Sequence, residues 1–270
     1  MLTNFLTVGQ QVIILFFLIG VGFICGRTKF LADSAVTGIT DFVLYVVTPC
    51  VMIQSFQRTF EVSLAGAFLQ SLVFATVVTV ISYFIARFTL RDNDKRRESV
   101  YRFAAIFSNC GFMALPLESA LLGADGMFFG AAFLAVFNIF GWTLGLQMMT
   151  HNRQLLSIKK LITNPGILGV FCGLLLFFTS TTLPELIAAP VDYLAALNTP
   201  LPMVVIGYHL SHANLRAILC DARAWLSMAE RLIIIPLVGL AFGLLIGMNT
   251  TALCACMIAL CTPPAAMCTM

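Results

Sequence analysis

Charge is scarce in this chain. Asp, Glu, Lys and Arg together make up 10% of its 270 residues, against about 25% in an ordinary soluble domain. With 60% hydrophobic residues and a mean hydropathy of +0.99, the chain cannot cover itself with polar surface, so water is not its main solvent. Hydrolytic motifs are missing too. There is no His-Glu-x-x-His, no Gly-x-Ser-x-Gly and no paired aspartate motif at membrane depth, which leaves an embedded enzyme without recognisable machinery. No cofactor signature occurs, and the basic loops lack the interleaved aromatics that would support nucleic-acid binding. The nine cysteines lie mostly in apolar segments, among them Cys110, Cys254 and Cys256, and read as small packing residues rather than a disulfide or metal framework.

What is present is apolar length. Nine segments are read as membrane spans: 5–25, 36–56, 63–90, 100–122, 126–149, 165–179, 188–209, 224–247 and 250–270. The first lacks a basic flank and a small-residue cleavage site, so it is a retained helix rather than a signal peptide. The fourth carries Asn109, Gly111 and Pro116 near its centre. Glycine lets the backbone leave helical geometry and proline removes a donor. Freed backbone groups are tolerated at membrane depth only inside protein or along a cavity. This interruption is therefore a candidate binding site, with a packed proline kink as the plainer alternative.

Basic residues set the orientation. They gather on the connections after segments one, three, five and seven, in 26–29, 91–102, 150–163 and 216–223, while the opposite side holds only Arg58. By the positive-inside rule the N-terminus lies outside the cytoplasm, and the membrane expected is the plasma (inner) membrane. An internal repeat accompanies this bias. Thr48-Pro49-Cys50-Val51-Met52-Ile53 resembles Thr199-Pro200-Leu201-Pro202-Met203-Val204, and the same offset lays the Asn109–Pro116 region over Pro263-Pro264. The repeats are 1–149 (five helices) and 165–270 (four helices, incomplete), joined by a basic linker at 150–164. They are inverted in the membrane, so a tenth helix is expected by symmetry. Paired interrupted helices in inverted repeats point to a secondary transporter's binding site.

Ser108-Asn109-Cys110-Gly111-Phe112-Met113-Ala114-Leu115-Pro116-Leu117 resembles the signature of the auxin efflux carrier family, which includes bacterial malate and malonate permeases. Gly26-Arg27, Val47-Thr48-Pro49, Asn164-Pro165-Gly166, Asn198–Gly207 and Arg231–Pro236 also match it. The resemblance implies an all-α polytopic fold of two inverted five-helix repeats, like sodium/proton antiporters and bile-acid symporters. In such folds the fourth and ninth helices are broken and cross at mid-membrane, and helices one, two, six and seven form a scaffold for an elevator motion. The implied substrate is a small organic anion, either a dicarboxylate such as malate or malonate or an auxin-like acid.

No Lys or Arg lies at mid-depth in segments four, five or nine, so an anion there depends on helix N-termini and neutral donors. Asn109, Gly111, Asn138 and Thr262 are the candidate substrate-binding residues. Pro116, Pro263 and Pro264 are the candidates for keeping the crossing helices open, and Glu118 is the candidate for coupling to a proton or sodium ion. Glu230-Arg231 reads as a structural ion pair with another helix. The expected partners are the anion, the bilayer, the coupling ion and a second copy of the chain as a homodimer. The alternatives are a channel, an embedded enzyme, or a sodium-coupled symporter of the same fold.

Overall fold

The computed structural model describes residues 2–150, 164–214 and 219–265. The linker reading at 150–164, Arg216 and the residues from Ala266 onward fall largely or wholly outside them. The described residues form nine helices and no strand: α1 (Leu2–Arg27), α2 (Asp33–Ser55), α3 (Val62–Thr89), α4 (Lys95–Ile106), α5 (Cys110–Thr150), α6 (Pro165–Phe178), α7 (Glu185–His212), α8 (Ala222–Leu245) and α9 (Thr250–Cys261). Six of them, α1, α2, α3, α5, α7 and α8, are long and apolar enough to cross a membrane. At 1.5 Å per residue, α4 and α9 reach only about 18 Å each, roughly half of a bilayer's hydrocarbon. Burial is arranged for lipid: Phe16, Phe17 and Leu245 are exposed, while Glu118, Glu230 and Arg231 are buried.

Gly123 reverses the chain inside α5. Its φ of 64° and ψ of −145° lie outside the helical region and are open to glycine at little cost. The arm 124–150 (α5b) folds back along the arm 110–122 (α5a), so close that a Cβ on Gly130 would meet the Glu118 carboxylate. The second half of segment four and all of segment five are thus one hairpin.

Three prolines share a local device. Pro49, Pro116 and Pro236 each sit in the first turn of α-helix that follows a five-residue π turn, at Val43–Val47, Cys110–Ala114 and Glu230–Ile234. The wider turn absorbs both the missing N–H and the ring's clash with the preceding turn, so the helix bends without breaking. Pro116 therefore does not make the interruption expected of it. The break lies upstream, where Phe107 is extended (φ −99°, ψ 113°) and Asn109 leaves helical geometry.

The helices pack as two bundles. In the first, α1 lies against α7, and α2 packs on α6 and α7; in the second, α3, α4 and α9 pack on α5, and α8 packs on α3, α4 and α9. The α1–α7 seam is backbone to backbone: a Cβ on Gly22 would collide with the Val204 carbonyl, and one on Gly207 with that of Ile19. Small residues permit such close approach where lipid supplies no hydrophobic drive. The two bundles meet mainly along α5, through α1, α2 and α6.

One end of the second bundle is tied by charge. Arg97 pairs with Asp221 at 2.6 Å, Arg102 with Glu98 at 2.7 Å, and Arg223 with Asp92. The Tyr101 hydroxyl, followed by the Arg223 N–H and Arg97, holds the Asp221 carboxyl down to about 2. The Arg97–Asp221 and Arg223–Asp92 pairs fasten the start of α4 to the start of α8.

Candidate functional site

The interruption after α4 meets the interruption after α9. Asn109 donates its backbone N–H to the Pro263 carbonyl (2.8 Å), and Ala265 donates to that of Phe107 (2.9 Å). This places Ser108 opposite Pro264 in an isolated antiparallel bridge. Two chains that have left the helix thus satisfy each other's backbone, the condition for irregular structure at membrane depth. Pro263 and Pro264 serve here through a carbonyl and a rigid turn, whereas Pro116 lies further along α5a.

Arg231 closes the other side of the crossing. Its guanidinium is fully buried and donates to the carbonyls of Ala105 (3.2 Å) and Ile106 (2.9 Å) at the end of α4. It also donates to the Leu260 carbonyl at the end of α9. Both half-helices end in uncompensated carbonyls and partial negative charge, and one cation answers both. The expected ion pair does not form: among the described residues Arg231 and Glu230 have no ion-pair partner, because carbonyl dipoles take the charge instead.

Beside the crossing, between the two bundles, lies a cavity of about 30 Å3. That is room for roughly two waters. The second bundle contributes Ser108, Asn109, Gly111, Asn138 and Trp142 to its wall, and the first contributes Thr48, Asn164, Gly166 and Asn198. Four asparagines converge there, and among the described residues no charged side chain lines the space.

Each amide has a distinct state. Asn198 donates through Nδ2 to the Gly111 carbonyl at 2.8 Å, tying α7 to α5a. Asn164 caps α6, its Oδ1 accepting from the Ile167 N–H at 3.2 Å. Asn138 is 6% exposed, and its Nδ2 has no partner. That nitrogen would lie 2.9 Å from a Cβ on Gly166, so glycine is what lets α5b approach the start of α6. Asn109 makes no side-chain hydrogen bond among the described residues and also lines the cavity.

Two helices, α5a and α6, begin at this cavity. The first N–H groups of a helix lack intrahelical acceptors and carry about half a positive charge. The arrangement is therefore a neutral, amide-rich pocket beside two helix N-termini, with one buried amide nitrogen left unpaired. It suits a carboxylate, and among the described residues the hydroxyls of Ser108 and Thr48 line it with no His, Asp, Glu or Lys beside them in the wall.

Of the sequence-derived candidates, Asn109, Gly111 and Asn138 are brought together. Thr262 is not: its hydroxyl donates to the Ala259 carbonyl at 2.8 Å, completing the last turn of α9, and it does not line the cavity. Glu118 is buried elsewhere, at the α5a–α5b seam. Sequence reasoning did not assign Asn164 and Asn198 to the site. The available signal was an asparagine immediately before Pro165 and another before Thr199-Pro200 in otherwise apolar segments.

Comparison with known proteins agrees with this architecture. The chain is 24% identical over 213 residues to a protein of Rhizobium meliloti (strain 1021) named "Putative malonate transporter", covering 75% of this chain and 67% of that one. Residues 7–270 match the family described as membrane transport protein, so the chain belongs to that family, the auxin efflux carriers whose motifs it carries.

Proposed function

We propose that the protein is a secondary carrier for a small organic carboxylate of the malonate or malate type, working by alternating access. The observation that carries this reading is the pocket itself: four asparagine amides and two helix N-termini converge between two bundles, with an amide nitrogen left unpaired. Neutral donors recognise a carboxylate without the cost of a permanently buried cation in the wall. The name of the Rhizobium relative supports malonate as the first substrate to test.

The cavity is sized for about two waters and is too small for a dicarboxylate, so the solute enters only when the bundles part. The bundle of α1, α2, α6 and α7 is the static scaffold in this reading. The other slides as an elevator, carrying the crossing and its half of the asparagine set. The basic connections face the cytoplasm, which puts the N-terminus outside.

Purified protein in liposomes preloaded with unlabelled malonate is expected to accumulate labelled malonate transiently, with a rate that saturates. Ohmic currents without counterflow would make the protein a channel and overturn the proposal.

A further inference from the structure

We propose that Glu118 is a proton site whose occupancy is linked to the anion pocket through the α5a–α5b seam, making the carrier a proton–anion symporter; this rests on the carrier reading above. The carboxyl group is 0% exposed, and neither oxygen has a hydrogen-bond partner. An ionised carboxylate without counter-charge or donors is prohibitive at membrane depth, whereas a neutral acid costs far less. Glu118 is therefore protonated in this conformation.

Among the described residues no group of three or more His, Cys, Asp or Glu gathers around it to hold a metal ion. The thiols of Cys110 on α5a and Cys256 on α9 lie within electrostatic reach. From α3, Ser71 already donates its hydroxyl to the Ala67 carbonyl at 3.0 Å. On α5b the carboxyl rests on Gly130, and Asp125, just before Gly126, is held by Arg58 at 2.7 Å. Arg231 spends its guanidinium on the carbonyls of Ala105, Ile106 and Leu260. Hard cations require several oxygen ligands, and the side chains gathered here offer only thiols, a hydroxyl already bonded to its own helix and a carboxylate already paired with Arg58.

Linkage follows from spacing. Gly126, Gly130, Leu134 and Asn138 form one i, i+4 row on α5b. Gly126 and Gly130 clasp Glu118, Leu134 touches the Gly111 position, and Asn138 reaches the anion cavity about 12 Å beyond Gly130. Losing the proton brings water into the seam and spreads the arms, which moves Asn138 relative to Asn109 and Gly111. A bound anion and a bound proton thus favour the same closed hairpin.

The test uses liposomes containing the full chain, with internal pyranine and labelled malonate. Wild type is expected to accumulate malonate at least tenfold more under an inward proton gradient than without one, and to acidify the lumen as it does so. A sodium gradient alone should drive nothing. In Glu118→Gln the gradient-driven accumulation and the acidification are both expected to disappear, and Glu118→Leu serves as the second neutral variant if the amide does not yield folded protein. Retained gradient-driven accumulation in these variants, or sodium-driven uptake in wild type, overturns the proposal. Counterflow in wild type without any response to pH overturns it and leaves the carrier reading standing, whereas absent counterflow removes the carrier reading itself.

Discussion

Asn138 keeps a donor that the resting protein does not use, and that separates its two contributions experimentally. A buried amide nitrogen without an acceptor costs stability, on the order of 1–3 kcal/mol. Asn138→Ala removes the cost along with the donor, so the ligand-free protein should melt at an unchanged or higher temperature. A hydrogen bond to a carboxylate is worth about 1.5–3 kcal/mol, so malonate affinity should fall roughly tenfold to a hundredfold. Asn198→Ala should behave oppositely in the ligand-free state, because it orphans the Gly111 carbonyl and lowers the melting temperature. Thermal shift with and without malonate reads both, and a lower ligand-free melting temperature for Asn138→Ala would reduce that residue to a packing role. Asn109 and Asn138 were legible in the sequence because a polar amide in an apolar segment needs a reason. Thr262 was misleading: a hydroxyl can satisfy itself on its own helix, a local choice that residue type does not reveal.

At the scale of elements, the crossing is a pairing of ends. Phe107–Asn109 and Pro263–Ala265 exchange backbone bonds, and Arg231 binds the carbonyl ends of α4 and α9. Local sequence points to Gly111 and Pro116 as the breakers, since those residues weaken helices wherever they occur. The actual break lies upstream because its backbone donors and acceptors are met by a segment more than 150 residues away, a long-range fact that no local propensity carries. Pro116 is instead accommodated by its π turn. The fold class and most helix limits were readable from apolar length, whereas the role of Arg231 was not, since its acceptors are main-chain groups on two other helices. Arg231→Met leaves three buried carbonyls without that donor, at about 1–3 kcal/mol each before relaxation. It should lower the melting temperature sharply and reduce monodisperse yield. Arg231→Lys should rescue only part of the loss, because a single ammonium cannot span both ends as the guanidinium fork does. Full rescue by lysine would mean that charge alone, rather than bridging of the two ends, holds the crossing.

For the whole molecule, the decisive question is whether the two bundles slide. The 56–61 connection is docked on the first bundle, where the Phe60 N–H donates to Ser180 Oγ (3.0 Å) and Gln57 Oε1 accepts from the Leu183 N–H (2.9 Å). From that connection Arg58 reaches across to Asp125 on α5b, in the second bundle, at 2.7 Å, with its guanidinium 5.0 Å from the centre of the Phe128 ring. This contact spans the seam at the end opposite the basic loops, so an elevator step has to break it. Within the first bundle, Gln54 on α2 donates to Asp192 on α7 at 2.7 Å, a contact the same step leaves intact. In a background without native cysteines, Arg58→Cys with Asp125→Cys joined by a short bis-maleimide should abolish malonate counterflow. Gln54→Cys with Asp192→Cys, joined the same way, should leave it near the unlinked rate. A rigid rocking of the helices that never separates Arg58 from Asp125 would let the first pair transport at full speed when cross-linked. That result would rule out sliding while leaving the asparagine pocket in place.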